Sequence, residues 1–439
     1  MLPSLTEEPR EPLLPANAGI RRGSKTVTVN ELFTVVPPRE ALQALLRHCT
    51  PVERSARVAL VAARGRVARS DVYAPETLPA FARSTMDGYA VRAVDTFGAS
   101  ESAPAYLRFC GEILMGAPAT LSVAPFEAAR IHTGAMLPAG ADAVMMVEDT
   151  NAHGDEIEVL AAVAPGENVV GVGEDVRHGD LAIPSGRRLR AQDLGGLAAL
   201  GITTIAVVDR PRIAILSTGD EVVAPSATPA VGQVRDVNAT TVAAVVAAAG
   251  GDAIAHGIVR DDEAALLEAT QAALANADAL VLSAGSSVSD RDLTARVIER
   301  LGSPGILVHG IAIKPGKPTL IAVADRKPVI GLPGNPASAL VLAWRLVAPL
   351  VRRLGGEEID ADTVGTEVDA ILANPVRSRA GREDYLPCRL ERVAGDVRAT
   401  PIFGKSNLIF TLVRCDGLIV VPLDESGIAA GATVRVIVP

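Results

Sequence analysis

Short hydrophobic runs followed by polar turns recur in the second half of the chain. Three continuous hydrophobic runs lie at 213–216, 279–282 and 329–332. The turns that follow them read STGDE at 217–221, SAGSSVS at 283–289 and PGNPAS at 333–338. Runs of this length are typical of strands buried on both faces of a parallel sheet. Since the carboxyl ends of parallel strands share one edge of a sheet, we expect the three turns to form a single binding site there.

Segments with helical character separate these strands. They lie at 240–249, 263–275 and 293–301, and the last is expected to open among Asp290, Asp292 and Thr294. This alternation predicts right-handed βαβ units in an α/β domain at 202–354, with a mostly parallel sheet. A turn that leads into a helix N-terminus presents backbone N–H groups and a positive dipole end, which suits a phosphate or another oxyanion.

The rest of the chain divides by its composition. We predict a multidomain α/β protein with four further regions: a disordered leader at 1–28, a mixed N-terminal domain in two segments at 29–74 and 166–201, an inserted β-rich domain at 75–165, and a C-terminal β-barrel at 355–439. The mixed domain is expected to contain helices at 38–48 and 191–200.

Bulk composition narrows the class of protein. The chain has 439 residues, 42 basic and 51 acidic, and its net charge of −9 argues against nucleic acid as the main partner. No hydrophobic run approaches a membrane span, and the acidic, proline-rich start differs from a signal peptide. The four cysteines are widely spaced without a C-x-x-C motif, which is typical of a reducing cytoplasm.

Two lysines stand close together in the segment IKPGKP at 313–318. Lys314 and Lys317 flank a stiff Pro-Gly turn that follows a hydrophobic segment, so both ammonium groups cannot move into solvent at low cost. A solvated hairpin is the simpler interpretation of one lysine in a turn. The rigid pair beside three turns suited to oxyanions instead favours an anion site.

Acidic residues also fall in turns or at helix starts. They are Asp87, Asp175, Asp220, Glu221, Asp261, Asp262 and Asp292. Each alone is better explained by capping or solvation. Beside a phosphate-binding edge, however, carboxylates usually require a divalent cation between them, with Mg²⁺ as the default. The sequence therefore predicts magnesium-dependent phosphate or pyrophosphate chemistry.

Several motifs, taken together and in order, closely resemble the MoeA family, which includes the C-terminal domain of gephyrin. They are STMDGYA at 84–90, RIHTGAMLPAGADAV at 130–144, GENVVGVGEDV at 166–176, ILSTGDEV at 215–222, IKPGKP at 313–318 and GLPGNPASA at 331–339. The resemblance runs from about residue 29 to the C-terminus. It implies molybdopterin molybdenumtransferase activity: adenylylated molybdopterin is bound, molybdate is inserted into its dithiolene and AMP is released with Mg²⁺ present. It also implies a homodimer, an inserted lever domain and transient contact with a molybdopterin adenylyltransferase.

The resemblance implies roles for individual residues. Molybdate would be held by Lys314, Lys317, Ser338, Arg382 and Ser406. Catalytic positions would be Asp292, Asp87 and Glu221, with Asp292 and Glu221 also candidates for Mg²⁺. Substrate would contact Thr133, Asp175, Thr218, Asp220, Gly285, Ser287, Gly334, Asn335 and Pro336. In a dimer, Asp87 and Thr133 would reach the groove of the partner subunit.

The chain departs from the usual family pattern at three positions. Ala284 and Ser289 stand where glycines are usual, and Val170 stands where arginine is frequent.

Three alternative functions also remain open. One is the related adenylyltransferase, which lacks the inserted domain and the barrel; the others are a scaffold protein in the manner of gephyrin and an insertase that prefers tungstate.

Overall fold

The computed structural model describes residues 35–284, 288–361, 365–393 and 395–438. Along the helix Val288–Glu299 it describes side chains only from Leu293 onward. The predicted leader at 1–28 lies outside the described residues.

A six-stranded sheet forms the centre of the α/β region. In order across the sheet, its strands are Asp252–Val259, Arg212–Thr218, Ala279–Ala284, Lys327–Pro333, Leu320–Ala324 and Pro304–His309. The first four are mutually parallel, and the last two continue the sheet with antiparallel pairings. The predicted mostly parallel sheet is confirmed, and only Leu320–Ala324 runs against the direction of the other five strands.

Helices cover both faces of this central sheet. They are Asn238–Ala248, Glu263–Ala275, Val288–Glu299, Pro336–Leu342 and Ala348–Leu354, with a π-helical segment Ala343–Val347 between the last two. The predicted alternation is confirmed, but two helices begin earlier than expected. The helix that was expected to open among Asp290, Asp292 and Thr294 begins at Val288. The helix predicted from 240 begins at Asn238, because the Asp236 carboxylate accepts from the backbone N–H of Ala239 at 3.0 Å and caps its first turn.

The two faces of the sheet follow from the two-residue period of a strand. Along Arg212–Thr218, Ile213 and Ile215 belong to one hydrophobic core and Ala214 and Leu216 to the other. The first core includes side chains of the helix Asn238–Ala248, and the second includes side chains of Glu263–Ala275 and Val288–Glu299. A strand buried on both faces must be hydrophobic throughout, which explains the continuous runs in the sequence.

A separate six-stranded sheet lies within the β-rich segment, and we call it the inserted sheet. Its strands in order are Ala143–Met146, Gly88–Val91, Glu127–Ile131, Ala105–Glu112, Glu156–Val159 and Thr150–His153. All six fall between 75 and 165, while the precise domain limits stay a prediction.

The segments on either side of the inserted sheet pair with each other. Three antiparallel pairs join Ser55–Ala59 to Thr204–Val208, Val72–Tyr73 to Leu181–Ile183, and Arg83–Ser84 to Val169–Val170. Two short helices, Leu60–Ala63 and Ala191–Ala199, pack beside them. Two segments that are distant in sequence thus form one mixed region, and the inserted sheet lies between them along the chain.

The first described helix, Pro38–Arg47, belongs with the central core. Ala41, Leu42 and Leu45 are buried at helical spacing and join the cluster that contains Ile311 and Ile313. A few residues later, Arg54 makes a two-pronged contact with Asp278 at 3.0 and 2.7 Å, which ties this region to the strand Ala279–Ala284.

The C-terminal region closes into a five-stranded barrel, as predicted. Its strands are Glu383–Val393, Asp396–Pro401, Thr366–Leu372, Thr433–Val438 and Gly417–Val421, and the last pairs back onto the first. Short pairs Val376–Arg377 with Gly427–Ile428 and a helix Phe410–Val413 complete the region. The two-residue strand Ile313–Lys314 adds to the edge of Glu383–Val393, which brings the lysine turn against the barrel.

All four cysteines are free, and burial raises the pKa of Cys49 and Cys388 to about 12, so these two thiols are poor nucleophiles. Among the helices of the described residues, none has the length and apolar character needed to cross a membrane.

Candidate functional site

A cavity of about 470 Å³ opens at the carboxyl edge of the central sheet, and we call it the edge cavity. It is lined by Ser217, Thr218, Glu221, Val222, Val234, Arg235, Asp236, Val237, Asn238, Ser283, Ala284, Gly334, Asn335, Pro336, Asn407 and Ile409. Its wall therefore combines the three predicted turns with the start of a helix and a segment of the C-terminal region.

Strand register explains why the three turns meet. The strand Arg212–Thr218 pairs Ser217 with Ser283, and Ser283 pairs in turn with Leu332. Three neighbouring parallel strands thus end at one level, and the turns after them leave from the same edge. The prediction that the three strands end at one edge of the sheet is confirmed.

The first turn is held by Asp261, which follows the neighbouring strand. The hydroxyl of Thr218 donates to one Asp261 carboxylate oxygen at 2.6 Å, and the backbone N–H of Asp220 donates to the other at 3.3 Å. The Asp220 carboxylate pairs with Arg260 at 3.3 Å outside the cavity wall, so of the two predicted substrate contacts only Thr218 lines the cavity. Gly219 has a φ of 147°, and a Cβ there would lie 2.7 Å from the Val222 side chain. The tight turn therefore favours glycine.

The third turn opens the helix Pro336–Leu342. Asn335 stands at its N-cap and Pro336 at its first position, where a missing N–H is tolerated. Gly334, Asn335 and Pro336 all line the edge cavity, as predicted for substrate contacts. Further along the helix, Ser338 is buried.

The C-terminal region supplies the opposite wall through its segment around Ser406. The backbone N–H of Ala337 donates to the Ser406 carbonyl at 3.0 Å, and the nearby residues Asn407 and Ile409 line the cavity. The helix that carries Ser338 is therefore tied to the loop that carries Ser406. Asn407 and Ile409 were not predicted, because their position depends on how the barrel packs against the α/β region.

Two of the predicted molybdate residues form a cluster around one carboxylate. Arg382 Nε lies 2.9 Å from one oxygen of Asp384, and Lys314 Nζ lies 3.6 Å from the other. Asp384 is fully buried, whereas Lys314 and Arg382 keep part of their side chains in solvent. Lys317 is in the same turn as Lys314, and its carbonyl accepts from the N–H groups of Ile311 and Thr319 at 2.9 and 3.0 Å.

We call Lys314, Lys317 and Arg382 the cation cluster. The cation cluster and the edge cavity are neighbouring but separate features. Lys314, Lys317 and Arg382 are absent from the described cavity wall. They connect to it through the helix Pro336–Leu342, because Gly316 packs against Leu342 at its far end. The lysine pair was expected at the rim formed by the turns. In the described residues it lies beside the cavity wall, and the helix Pro336–Leu342 connects the two features.

Asp87 and Thr133 contact each other on the inserted sheet. The Asp87 carboxylate accepts from the backbone N–H of Thr133 at 2.7 Å and from its hydroxyl at 3.1 Å. These bonds, with the nearby His132, hold the pKa of Asp87 below its usual range. Asp175 is exposed, and its backbone N–H donates to Leu78 at 3.2 Å. None of the three belongs to the described wall of the edge cavity in the same chain.

Of the two predicted Mg²⁺ ligands, the structure describes the side chain of Glu221. Glu221 lines the edge cavity together with Asp236, and both could offer carboxylate oxygens. Gly285, Ser287 and the side chain of Asp292 lie outside the described residues. Within the part of the chain that is described, no three His, Cys, Asp or Glu side chains lie close enough to hold a metal. Two carboxylates would fit a magnesium ion that keeps several water ligands.

One buried residue of the cavity wall, Asn238, was missed by the sequence analysis. Its side-chain N–H₂ donates to the Ser283 hydroxyl at 2.7 Å and to the Gly334 carbonyl at 2.9 Å. It thereby links the second and third turns. The available signal was an asparagine at the start of a helix that follows a turn, but the predicted helix began at 240.

Comparison with known proteins identifies the class to which this fold and site belong. Residues 36–201 match the MoeA N-terminal region (domain I and II), 214–353 a probable molybdopterin binding domain, and 369–438 the MoeA C-terminal region (domain IV). The chain is therefore an enzyme of molybdenum cofactor biosynthesis, and it belongs to the molybdopterin molybdenumtransferase family.

Similarity to individual relatives extends over nearly the whole chain. A molybdopterin molybdenumtransferase of Nostoc sp. is 35% identical over 416 residues, covering 93% of this chain and 92% of the relative. One of Haemophilus influenzae is 32% identical, covering 85% and 91%. The crystal structure of the molybdopterin biosynthesis MoeA protein from Pyrococcus horikoshii OT3 is 30% identical, with a TM-score of 0.79 and coverage of 92% of this chain and 100% of that chain.

Proposed function

We propose that this enzyme inserts molybdenum from molybdate into adenylylated molybdopterin and releases AMP, with Mg²⁺ at the phosphates. The observation that carries the proposal is the edge cavity, in which three turns of the α/β sheet face a segment of the C-terminal region. Its 470 Å³ falls within the roughly 300–1,000 Å³ usual for small-molecule sites.

The edge cavity is the proposed site for the pterin and its adenylate. Thr218, Gly334, Asn335 and Pro336 line it and would contact the substrate. Gly285 and Ser287, on the second turn, are proposed to contact the substrate as well. The helix Asn238–Ala248 begins at the cavity wall, and the positive end of its dipole favours an anionic phosphate nearby. Glu221 and Asp292 are proposed to hold Mg²⁺, which would supply neutralisation of phosphate charge.

The cation cluster is the proposed site for molybdate. Molybdate is a dianion, and cationic and hydroxyl donors on converging elements are the groups that bind one. Lys314, Lys317 and Arg382 provide the charge, while Ser338 and Ser406 lie on the helix and loop that join the cluster to the edge cavity. This arrangement would present molybdate to the dithiolene sulfurs of a substrate held in the cavity.

A reconstitution assay with adenylylated molybdopterin, molybdate and Mg²⁺ tests these roles. We expect product and AMP from the unaltered enzyme, and no product from folded Lys317→Ala or Asp292→Asn variants. Arg389→Ala, an exposed change on the strand that follows Arg382, is the matched control and should retain activity. Near-normal product from both variants would overturn the assigned roles. Competition between molybdate and tungstate at matched concentrations then identifies the preferred oxyanion.

We further propose a cytoplasmic homodimer that receives its substrate from a molybdopterin adenylyltransferase. Support comes from Asp87 and Thr133, which lie on the inserted sheet and not in the described wall of their own chain's cavity. Mixing an Asp87→Ala chain with a Lys317→Ala chain tests the dimer. If each site draws on both chains, mixed dimers regain part of the activity that either variant alone has lost. No recovery after verified chain exchange would contradict shared sites.

A further inference from the structure

Two oxygen atoms in the wall of the edge cavity lack hydrogen-bond partners among the described residues. They are Ser217 Oγ and Asn238 Oδ1. Both residues line the cavity, and both are more than nine-tenths buried, with 2% and 6% of their surface exposed. Buried polar atoms are almost always paired, so two unpaired atoms in one cavity wall call for an explanation.

The orientation of the Asn238 amide is set by its neighbours. Its Nδ2 lies 2.9 Å from the Gly334 carbonyl, which can only accept, and 2.7 Å from the Ser283 hydroxyl. The nitrogen must therefore face these two groups, and Oδ1 must be the free end. Because an amide oxygen only accepts hydrogen bonds, its missing partner is a donor.

This chemistry selects among the parts of the proposed substrate. A phosphate or molybdate oxygen is an acceptor and would be repelled by Asn238 Oδ1. A nitrogen heterocycle carries an amino group or ring N–H beside an acceptor atom, which matches a cavity wall that offers an amide oxygen and a hydroxyl that can donate or accept. Both the pterin and the adenine of the proposed substrate have such an edge.

We propose that Ser217 and Asn238 bind the amino or ring N–H edge of the substrate's heterocycle, with Ser283 and Gly334 orienting the Asn238 amide. This inference rests on the proposed function and adds two specificity residues to it. The substrate would supply the hydrogen-bond partner that each of the two oxygens lacks among the described residues.

The test compares substrate affinity with stability in the same variants. Ser217→Ala removes an unpaired hydroxyl, so a purely structural role predicts an unchanged or higher melting temperature and unchanged binding. We instead expect the dissociation constant for adenylylated molybdopterin to rise about tenfold, the effect of losing one buried hydrogen bond, without loss of thermal stability. Ser283→Ala should raise the dissociation constant by a smaller factor, because this change removes only one of the two hydrogen bonds that orient the Asn238 amide.

Calorimetric titrations with AMP alone and with molybdopterin alone identify the group bound. A loss of affinity confined to AMP assigns the two residues to adenine, and a loss confined to molybdopterin assigns them to the pterin. Thr240→Ala, exposed on the same helix, is the control and should bind normally. Affinities within about twofold of the unaltered enzyme in Ser217→Ala, Asn238→Ala and Ser283→Ala would overturn the inference. Failure of the unaltered enzyme to bind the adenylylated substrate would instead overturn the proposed function.

Discussion

Arg382 donates its Nε hydrogen to the buried carboxylate of Asp384 at 2.9 Å. The second oxygen of Asp384 lies 3.6 Å from Lys314 Nζ, because strand pairing sets Lys314 opposite Asp384. One carboxylate therefore holds two cations that would otherwise repel each other. Since two positive charges are offset by one negative charge, the three groups keep a single net positive charge for an incoming oxyanion.

The two cations are expected to differ in their contribution to stability. Arg382→Met leaves a buried carboxylate without its closest donor and should lower the free energy of unfolding by about 2 kcal/mol. Lys314→Met should lower it by less than about 1 kcal/mol, because the Lys314 side chain is half exposed and its charge is screened. Urea unfolding measures both. Arg389→Met, an exposed change on the strand that follows Arg382, is the control. Equal losses for Arg382→Met and Lys314→Met would contradict this assignment.

Gly316 sets the shape of the lysine turn. Its φ is 119°, and a Cβ at this position would lie 2.7 Å from a terminal carbon of Leu342 in the core. Gly316→Ala should therefore lower the free energy of unfolding by about 1–3 kcal/mol through strain and overpacking. It should also weaken the use of molybdate in the reconstitution assay, since Lys314 and Lys317 flank this residue.

A glycine elsewhere provides the matched control for that change. Gly195 is exposed in the helix Ala191–Ala199, and a Cβ there meets nothing within 4 Å. Gly195→Ala should raise the free energy of unfolding by about 0.5–1 kcal/mol, because alanine favours a helix more than glycine does. The melting temperature should fall in Gly316→Ala and rise in Gly195→Ala. A shift in the same direction for both variants would refute the strain argument.

The three turns were predictable from the sequence because their physical cause is local. A strand buried on both faces must be hydrophobic, and its end must turn where the chain leaves the sheet. Thr218 and Gly334 follow two such runs, and the convergence of parallel strand ends then places both at one edge. The barrel was likewise indicated by short strands with frequent turns.

Asn238 and Asp384 were not assigned to the site because their roles depend on long-range packing. Asn238 contacts Ser283, 45 residues away, and only the register between neighbouring strands and a helix start brings them together. Asp384 gains its importance from Lys314, which joins it through a two-residue strand pairing. A two-residue strand has no periodicity to detect, so no local pattern could have indicated that contact.

Thr133 is expected to control the protonation of Asp87. Its backbone N–H and then its hydroxyl stabilise the carboxylate, so an NMR titration of Asp87 should give a pKa below the usual aspartate value. Thr133→Val removes the hydroxyl and keeps the backbone N–H, so the pKa should rise only part of the way back. An unchanged pKa in Thr133→Val would show that the hydroxyl bond is absent in solution.

Asp278 should make stability depend on pH. Burial raises its pKa, but the Arg54 guanidinium and the backbone N–H of Arg212 outweigh burial and hold the pKa below its usual value. Because the pKa is lower in the folded than in the unfolded chain, this contribution is present at neutral pH and is lost as pH falls below about 4 and through the folded value. Arg54→Ala should therefore lower the free energy of unfolding by about 1 kcal/mol at pH 7, a modest figure because the Arg54 side chain is 41% exposed and solvent screens its charge. The difference from the unaltered protein should shrink toward zero in acid. Arg57→Ala, a nearby exposed change, should show no such trend, and a difference between Arg54→Ala and the unaltered protein that stays constant across this range would rule out Asp278 as its origin.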